Sequence, residues 1–85
     1  MKKFNYVITD EVGMHARPAG MLVKEAGKYA SEIKVGSGDK EADAKRLFAL
    51  MQLGIKHGEE VTVTITGEDE ELAGQELEHF FKENL

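Results

Sequence analysis

Residues 61–66 read Val-Thr-Val-Thr-Ile-Thr, three β-branched apolar residues alternating with three threonines. A strand of this kind has one apolar face and one hydroxylated face, so it belongs in a sheet covered on one side and wet on the other. Eighty-five residues supply one core, so a single layer of helices must do the covering. The other periodicities provide the parts. Phe4, Tyr6 and Ile8 alternate with Asn5, Val7 and Thr9 as a first strand. Ala19, Leu22, Val23, Ala26 and Ala30 form the apolar stripe of a helix running from Ala16 to about Gly27. Ile33 and Val35 mark a second strand, Gly36-Ser37-Gly38-Asp39 a hairpin turn, and Lys40–Ala44 a third strand.

Lys45 to Leu53 is apolar at helical spacing, with Gly54 placed to end it. Asp69-Glu70-Glu71 opens a last helix with the acidic first turn that the helix dipole favours, and Ala73, Leu77, Phe80 and Phe81 give it a buried face. The order β-α-β-β-α-β-α predicts an α+β fold: an open-faced β-sandwich (βαββαβα), a four-stranded antiparallel sheet with three helices on one face, as one domain over residues 1–85. The chain has no cysteine, which removes disulfide frameworks and thiolate metal sites. No apolar stretch is long enough for a signal peptide or a membrane span, so a cytoplasmic location is expected.

The net charge of −5 opposes a general nucleic-acid binder. It is also unevenly spread. Residues 58–85 hold nine acids and one base, whereas 45–57 hold Lys45, Arg46 and Lys56 with no acid, and 14–28 hold Arg17, Lys24 and Lys28 against Glu25. Brought together, the two basic segments would make a positive patch on an acidic protein, suited to a phosphoryl group or an acidic partner.

Chemistry concentrates at Gly13-Met14-His15-Ala16-Arg17-Pro18-Ala19. Pro18 fits only the opening turn of a helix, so it fixes where the first helix begins. His15 then stands at the N-cap or last loop position, and the backbone N–H groups of Ala16 and Arg17 lack intrahelical acceptors and can bind an anion. Arg17 adds a charge-assisted contact to phosphoryl oxygens. The dipole and the guanidinium disfavour a charged ring, which leaves a nitrogen free as a nucleophile. No serine or aspartate in the motif completes a hydrolase triad, and His57 and His79 show no metal-ligand spacing with His15.

Along the same helix Arg17, Gly20, Met21 and Lys24 repeat at i, i+3, i+4 and i+7 as a second stripe. The short helix offers Leu47, Phe48 and Met51, more apolar residues than one short buried face needs. Some of them are therefore expected to stay exposed as a docking patch beside His15.

The heptad around His15 is that of the HPr family, the histidine phosphocarriers of the bacterial phosphoenolpyruvate:sugar phosphotransferase system. The resemblance extends over nearly the whole chain, through Lys24-Glu25-Ala26, Ala44-Lys45, Leu47-Phe48, Leu53-Gly54 and Gly67-Glu68-Asp69-Glu70. It implies that His15 accepts a phosphoryl group at Nδ1 from phosphorylated enzyme I and passes it to sugar-specific enzyme II A components, with Arg17 stabilising the group. It implies a docking surface made by Met14, Gly20, Met21, Lys24, Arg46, Leu47, Phe48, Met51 and Gly54. It also implies a carrier rather than an enzyme. No cofactor, metal, nucleic-acid or membrane partner is expected, and nothing in the sequence requires more than a monomer. The alternative is an HPr-like regulatory interaction module or dedicated paralogue that binds partners without serving general sugar uptake. One departure stands out. Many members carry a serine, phosphorylated by a dedicated kinase in Gram-positive relatives, where this chain has Arg46, so that switch is expected to be absent.

Overall fold

The alternation of residues 61–66 is realised as a central strand. The computed structural model describes residues 1–85, in which β1 (Lys2–Val7), α1 (Ala16–Ala26), β2 (Glu32–Ser37), β3 (Lys40–Asp43), α2 (Leu47–Gln52), β4 (Glu60–Thr66) and α3 (Glu70–Asn84) follow one another. The sheet order is β1-β4-β2-β3, with every neighbouring pair antiparallel. In β4, Val61, Val63 and Ile65 are fully buried, while Thr62 and Thr64 are half-exposed and Thr66 is exposed. Register carries the pattern across the sheet: Val63 lies opposite Phe4 on one side and Val35 on the other. The apolar faces therefore stack into one layer beneath the helices.

Phe81 of α3 anchors that layer, packing edge-on against Phe4, Tyr6 and Phe80 at ring separations of 5.7, 5.7 and 6.2 Å. Ala73 and Leu77 complete the buried stripe of α3, and Phe80 is half-buried at its margin. In α1 the buried stripe is Pro18, Ala19, Leu22 and Ala26, with Val23 half-buried. Ala30 does not belong to it. The helix stops at Ala26, and Ala30 lies beyond in the connection to β2, exposed.

That connection is held by Asp69, the N-cap residue of α3. Its carboxylate accepts the N–H groups of Ala30 and Ser31 at 2.8 and 2.9 Å and also the Ser31 hydroxyl. The Ser31 hydroxyl, followed by these backbone bonds, holds the Asp69 carboxyl below the usual aspartate range. The α2 helix is shorter than the apolar pattern suggests. The Asp43 side chain and carbonyl accept the N–H groups of Lys45 and Arg46, which keeps these two residues in a turn. Gly54 follows the last turn with φ of 63°, the left-handed residue that ends the helix.

Candidate functional site

The site is built on the loop between β1 and α1. Pro18, third in α1, has no N–H to lose in the first turn, and the helix accordingly starts at Ala16. His15 is the N-cap, with extended φ and ψ of −106° and −177°. Its carbonyl accepts the N–H of Ala19 at 2.9 Å, so the residue is tied to the helix while its ring stays outside. The N–H groups of Ala16 and Arg17 have no acceptor within the protein. Two donors at the positive end of a helix are thus left open beside the imidazole.

The loop before His15 is fixed just as firmly. Gly13 adopts φ of 81°, and a Cβ there would lie 2.8 Å from the Lys56 Cα and closer still to the Ile55 carbonyl oxygen. Only glycine allows the two backbones to meet. The Met14 N–H donates to the Ile55 carbonyl at 3.0 Å, joining the histidine loop to the segment between α2 and β4. While His15 stands half-exposed at the N-cap, the Met14 side chain turns inward. It is 5% exposed and belongs to the core. Met14 is thereby removed from the docking residues expected from the sequence.

The other expected docking residues lie on α1 and α2, which pack against each other, and at the end of α2. Phe48 is 76% exposed, a large apolar ring with no cover, and Met21 and Met51 are about half as exposed. Leu47 is half-buried against the core. Lys24, Arg46 and Gly54 are exposed, and a Cβ added at Gly20 would meet nothing within 4 Å. Arg46 is the N-cap of α2 without a side-chain cap bond. Not all cations of the two basic segments reach the patch. Lys45 donates its ammonium to the Tyr29 carbonyl at 2.7 Å, and Lys28 pairs with Glu25 at 3.0 Å. Arg17, Lys24 and Arg46 have no carboxylate within ion-pair distance.

A concavity of about 170 Å³ opens beside the ring, lined by Asp10, His15, Arg17, Pro18, Met21, Glu83 and Asn84. Asp10 is a neighbour of the ring that the motif does not announce: its carboxylate lies 3.7 Å from His15 Nε2. The signal was present, since Asp10-Glu11-Val12-Gly13 is a turn sequence in which an aspartate bonds the backbone two residues on. No group of three or more histidine, aspartate or glutamate side chains converges as metal ligands would.

A one-sided α+β sandwich that sets an imidazole beside open helix amides at the surface, instead of enclosing it, has the form of a small surface-site domain. Comparison with known proteins gives the particular family. The HPr profile, described as "PTS HPr component phosphorylation site", matches residues 2–83. Phosphocarrier protein HPr of Mycoplasma genitalium is 49% identical over 74 residues, 86% of this chain and 84% of that protein. The crystal structure of HPr-C-His from Thermoanaerobacter tengcongensis matches with a TM-score of 0.93 at 34% identity, covering 99% of this chain and 94% of that one. Crh of Bacillus subtilis, described as a dimer with a swapping domain, matches with a TM-score of 0.78 at 35% identity, covering 88% and 86% of the two chains. The chain belongs to the HPr family of phosphotransferase-system phosphocarriers.

Proposed function

We propose that this protein carries a phosphoryl group on His15, taking it from phosphorylated enzyme I and delivering it to enzyme II A components. The observation that carries the reading is the pair of unpartnered N–H groups at Ala16 and Arg17 next to a half-exposed imidazole on the N-cap residue. In the transfer, a ring nitrogen lone pair of His15 bonds to phosphorus while the P–N bond of the donor phosphohistidine breaks and its electron pair returns to the donor ring. The three phosphoryl oxygens then lie within reach of the open amides and of Arg17, which supply charge-assisted hydrogen bonds without moving the backbone. Most of the catalytic effect comes from aligning two histidines across a protein interface, so the partner supplies the rest of the site. Phe48, Met21 and Met51 are the apolar contacts for that alignment, rimmed by Lys24 and Arg46.

The reading includes three further points. Arg46 has no hydroxyl, so the serine-directed kinase has no substrate at this position. We assign the protein to the cytoplasm, where its phosphoryl donor and acceptors meet; no helix is long and apolar enough to cross a membrane. We expect a monomer in solution, and light scattering at micromolar concentration distinguishes it from a swapped dimer of the kind described for Crh. The central test is incubation with enzyme I and phosphoenolpyruvate followed by intact mass spectrometry. One acid-labile phosphoryl group is expected, absent in His15→Ala. Stable partner binding with no adduct would replace the carrier reading with that of a regulatory interaction module.

A further inference from the structure

We propose that Asp10 is a positioning residue for His15: its carboxylate keeps the ring proton on Nε2 and so leaves Nδ1 as the atom that takes the phosphoryl group. This rests on the carrier reading above and adds to it the control of which nitrogen reacts. Asp10 is not a casual surface acid. Its Oδ1 accepts the Val12 N–H at 2.9 Å, which fixes the side-chain rotamer. Its own N–H donates to the Leu85 carbonyl at 2.9 Å, and its carbonyl accepts the Gly13 N–H at 3.0 Å. Leu85 is buried, so the end of α3 anchors the carboxylate to the core. One bond to the side chain and two to the backbone hold Oδ1 in place 3.7 Å from Nε2.

At that separation the contact is too long for a hydrogen bond and acts through charge. A neutral imidazole carries one ring proton, and a carboxylate favours it on the nitrogen that faces the carboxylate. With Nε2 protonated, Nδ1 holds the free lone pair, and no proton has to leave His15 before it attacks phosphorus. As the Nδ1–P bond forms and the donor's P–N bond breaks, the ring gains positive charge. Nε2–H shares that charge opposite Asp10, while the donor ring loses the same charge. The other charged groups around this concavity are Arg17 from α1 and Glu83 from α3. Arg17 favours the incoming phosphoryl oxygens and Glu83 pairs with His79 at 3.1 Å, whereas Asp10 is the carboxylate within 4 Å of the His15 ring, at Nε2.

The tautomer can be read without any transfer. Nitrogen-15 chemical shifts of His15, recorded above the pH of ring protonation, report the ratio of Nε2–H to Nδ1–H in wild type, Asp10→Asn and Asp10→Ala. Asparagine retains an oxygen for the Val12 N–H and removes only the charge. Both variants are expected to lower the Nε2–H:Nδ1–H ratio about threefold, the fraction of a unit-charge interaction at this distance in water that falls on an N–H dipole. Phosphorylation by enzyme I is expected to slow by a similar factor in Asp10→Asn. An unchanged ratio in Asp10→Asn, with or without a change in Asp10→Ala, would overturn the proposal by reducing Asp10 to a structural turn residue. Failure of the wild-type protein to accept any phosphoryl group would instead overturn the carrier reading, and the shift measurement would still decide the tautomer.

Discussion

Replacing Gly13 by alanine tests whether the meeting of two backbones places the reactive histidine. At φ of 81° an alanine enters the left-handed region, at a cost of roughly 1–2 kcal/mol. Its Cβ also cannot stay 2.8 Å from the Lys56 Cα, so the loop must move away from the Ile55–Lys56 backbone. That movement breaks the Met14 N–H bond to the Ile55 carbonyl, worth about 1 kcal/mol. The sum is about 2–3 kcal/mol. In a domain of 85 residues each kcal/mol lowers Tm by about 4–8 °C, so a fall of roughly 10–20 °C is expected. Gly20→Ala is the matched control. Gly20 lies inside α1 with nothing within 4 Å of an added Cβ, so alanine there should raise stability by about 1 kcal/mol. Urea and thermal unfolding followed by circular dichroism measure both. A Gly13→Ala variant within about 0.5 kcal/mol of wild type, the range of a neutral surface change, would refute the account of how this loop is held.

Three other outcomes follow from the same geometry. Arg17→Ala should leave Tm nearly unchanged, because the side chain is exposed with no ion-pair partner, yet slow phosphoryl transfer by about 10–100-fold, as expected for one lost charge-assisted hydrogen bond; stopped-flow transfer from enzyme I checks it. Phe48→Ala should likewise spare stability, given 76% exposure, and raise KM for partner proteins more than it lowers kcat, which steady-state kinetics separates. The pH dependence centres on Tyr29, whose hydroxyl is pushed up to about 12 by burial and by its bond to the Glu25 carboxylate. Because the folded value lies above the ordinary value of about 10, this contribution is complete below about pH 10 and is lost as pH rises toward 12. Tyr29→Phe should cost about 1 kcal/mol at neutral pH and flatten the alkaline fall in urea midpoint between those two values.

The parts of the fold visible in the sequence are those written in local periodicity. The valine–threonine alternation of β4 and the Pro18-fixed start of α1 depend on neighbours within one or two turns of chain, and both appear as expected. Where a hydrogen bond outside the apolar pattern intervenes, near or far in the chain, the pattern misleads. Lys45 and Arg46 read as helix because Leu47 and Leu50 follow, but Asp43 holds them in a turn. Ala30 fits the helical stripe by spacing, yet Asp69 captures its N–H from 39 residues away. Met14 stands next to His15 in sequence and faces the opposite way, because its backbone is bonded to Ile55.

The site divides along the same line. The sequence by itself determined that a histidine would stand at the start of a helix whose first two amides are free, since Pro18 and the change of period at Ala16 require it. It also determined that one face of the sheet would be bare, since the threonines of β4 cannot be buried without partners. Only the tertiary structure decided which side chains stand around the ring. Asp10 is brought to Nε2 by bonds to Val12, Gly13 and Leu85, the last of them 75 residues along the chain. The packing of α2 beside α1 buries Leu50 and leaves Phe48 exposed. Periodicity acts through adjacent residues and can be read in one dimension. Contacts between residues far apart in the chain arise when the core closes, because the burial that drives closure does not depend on sequence separation.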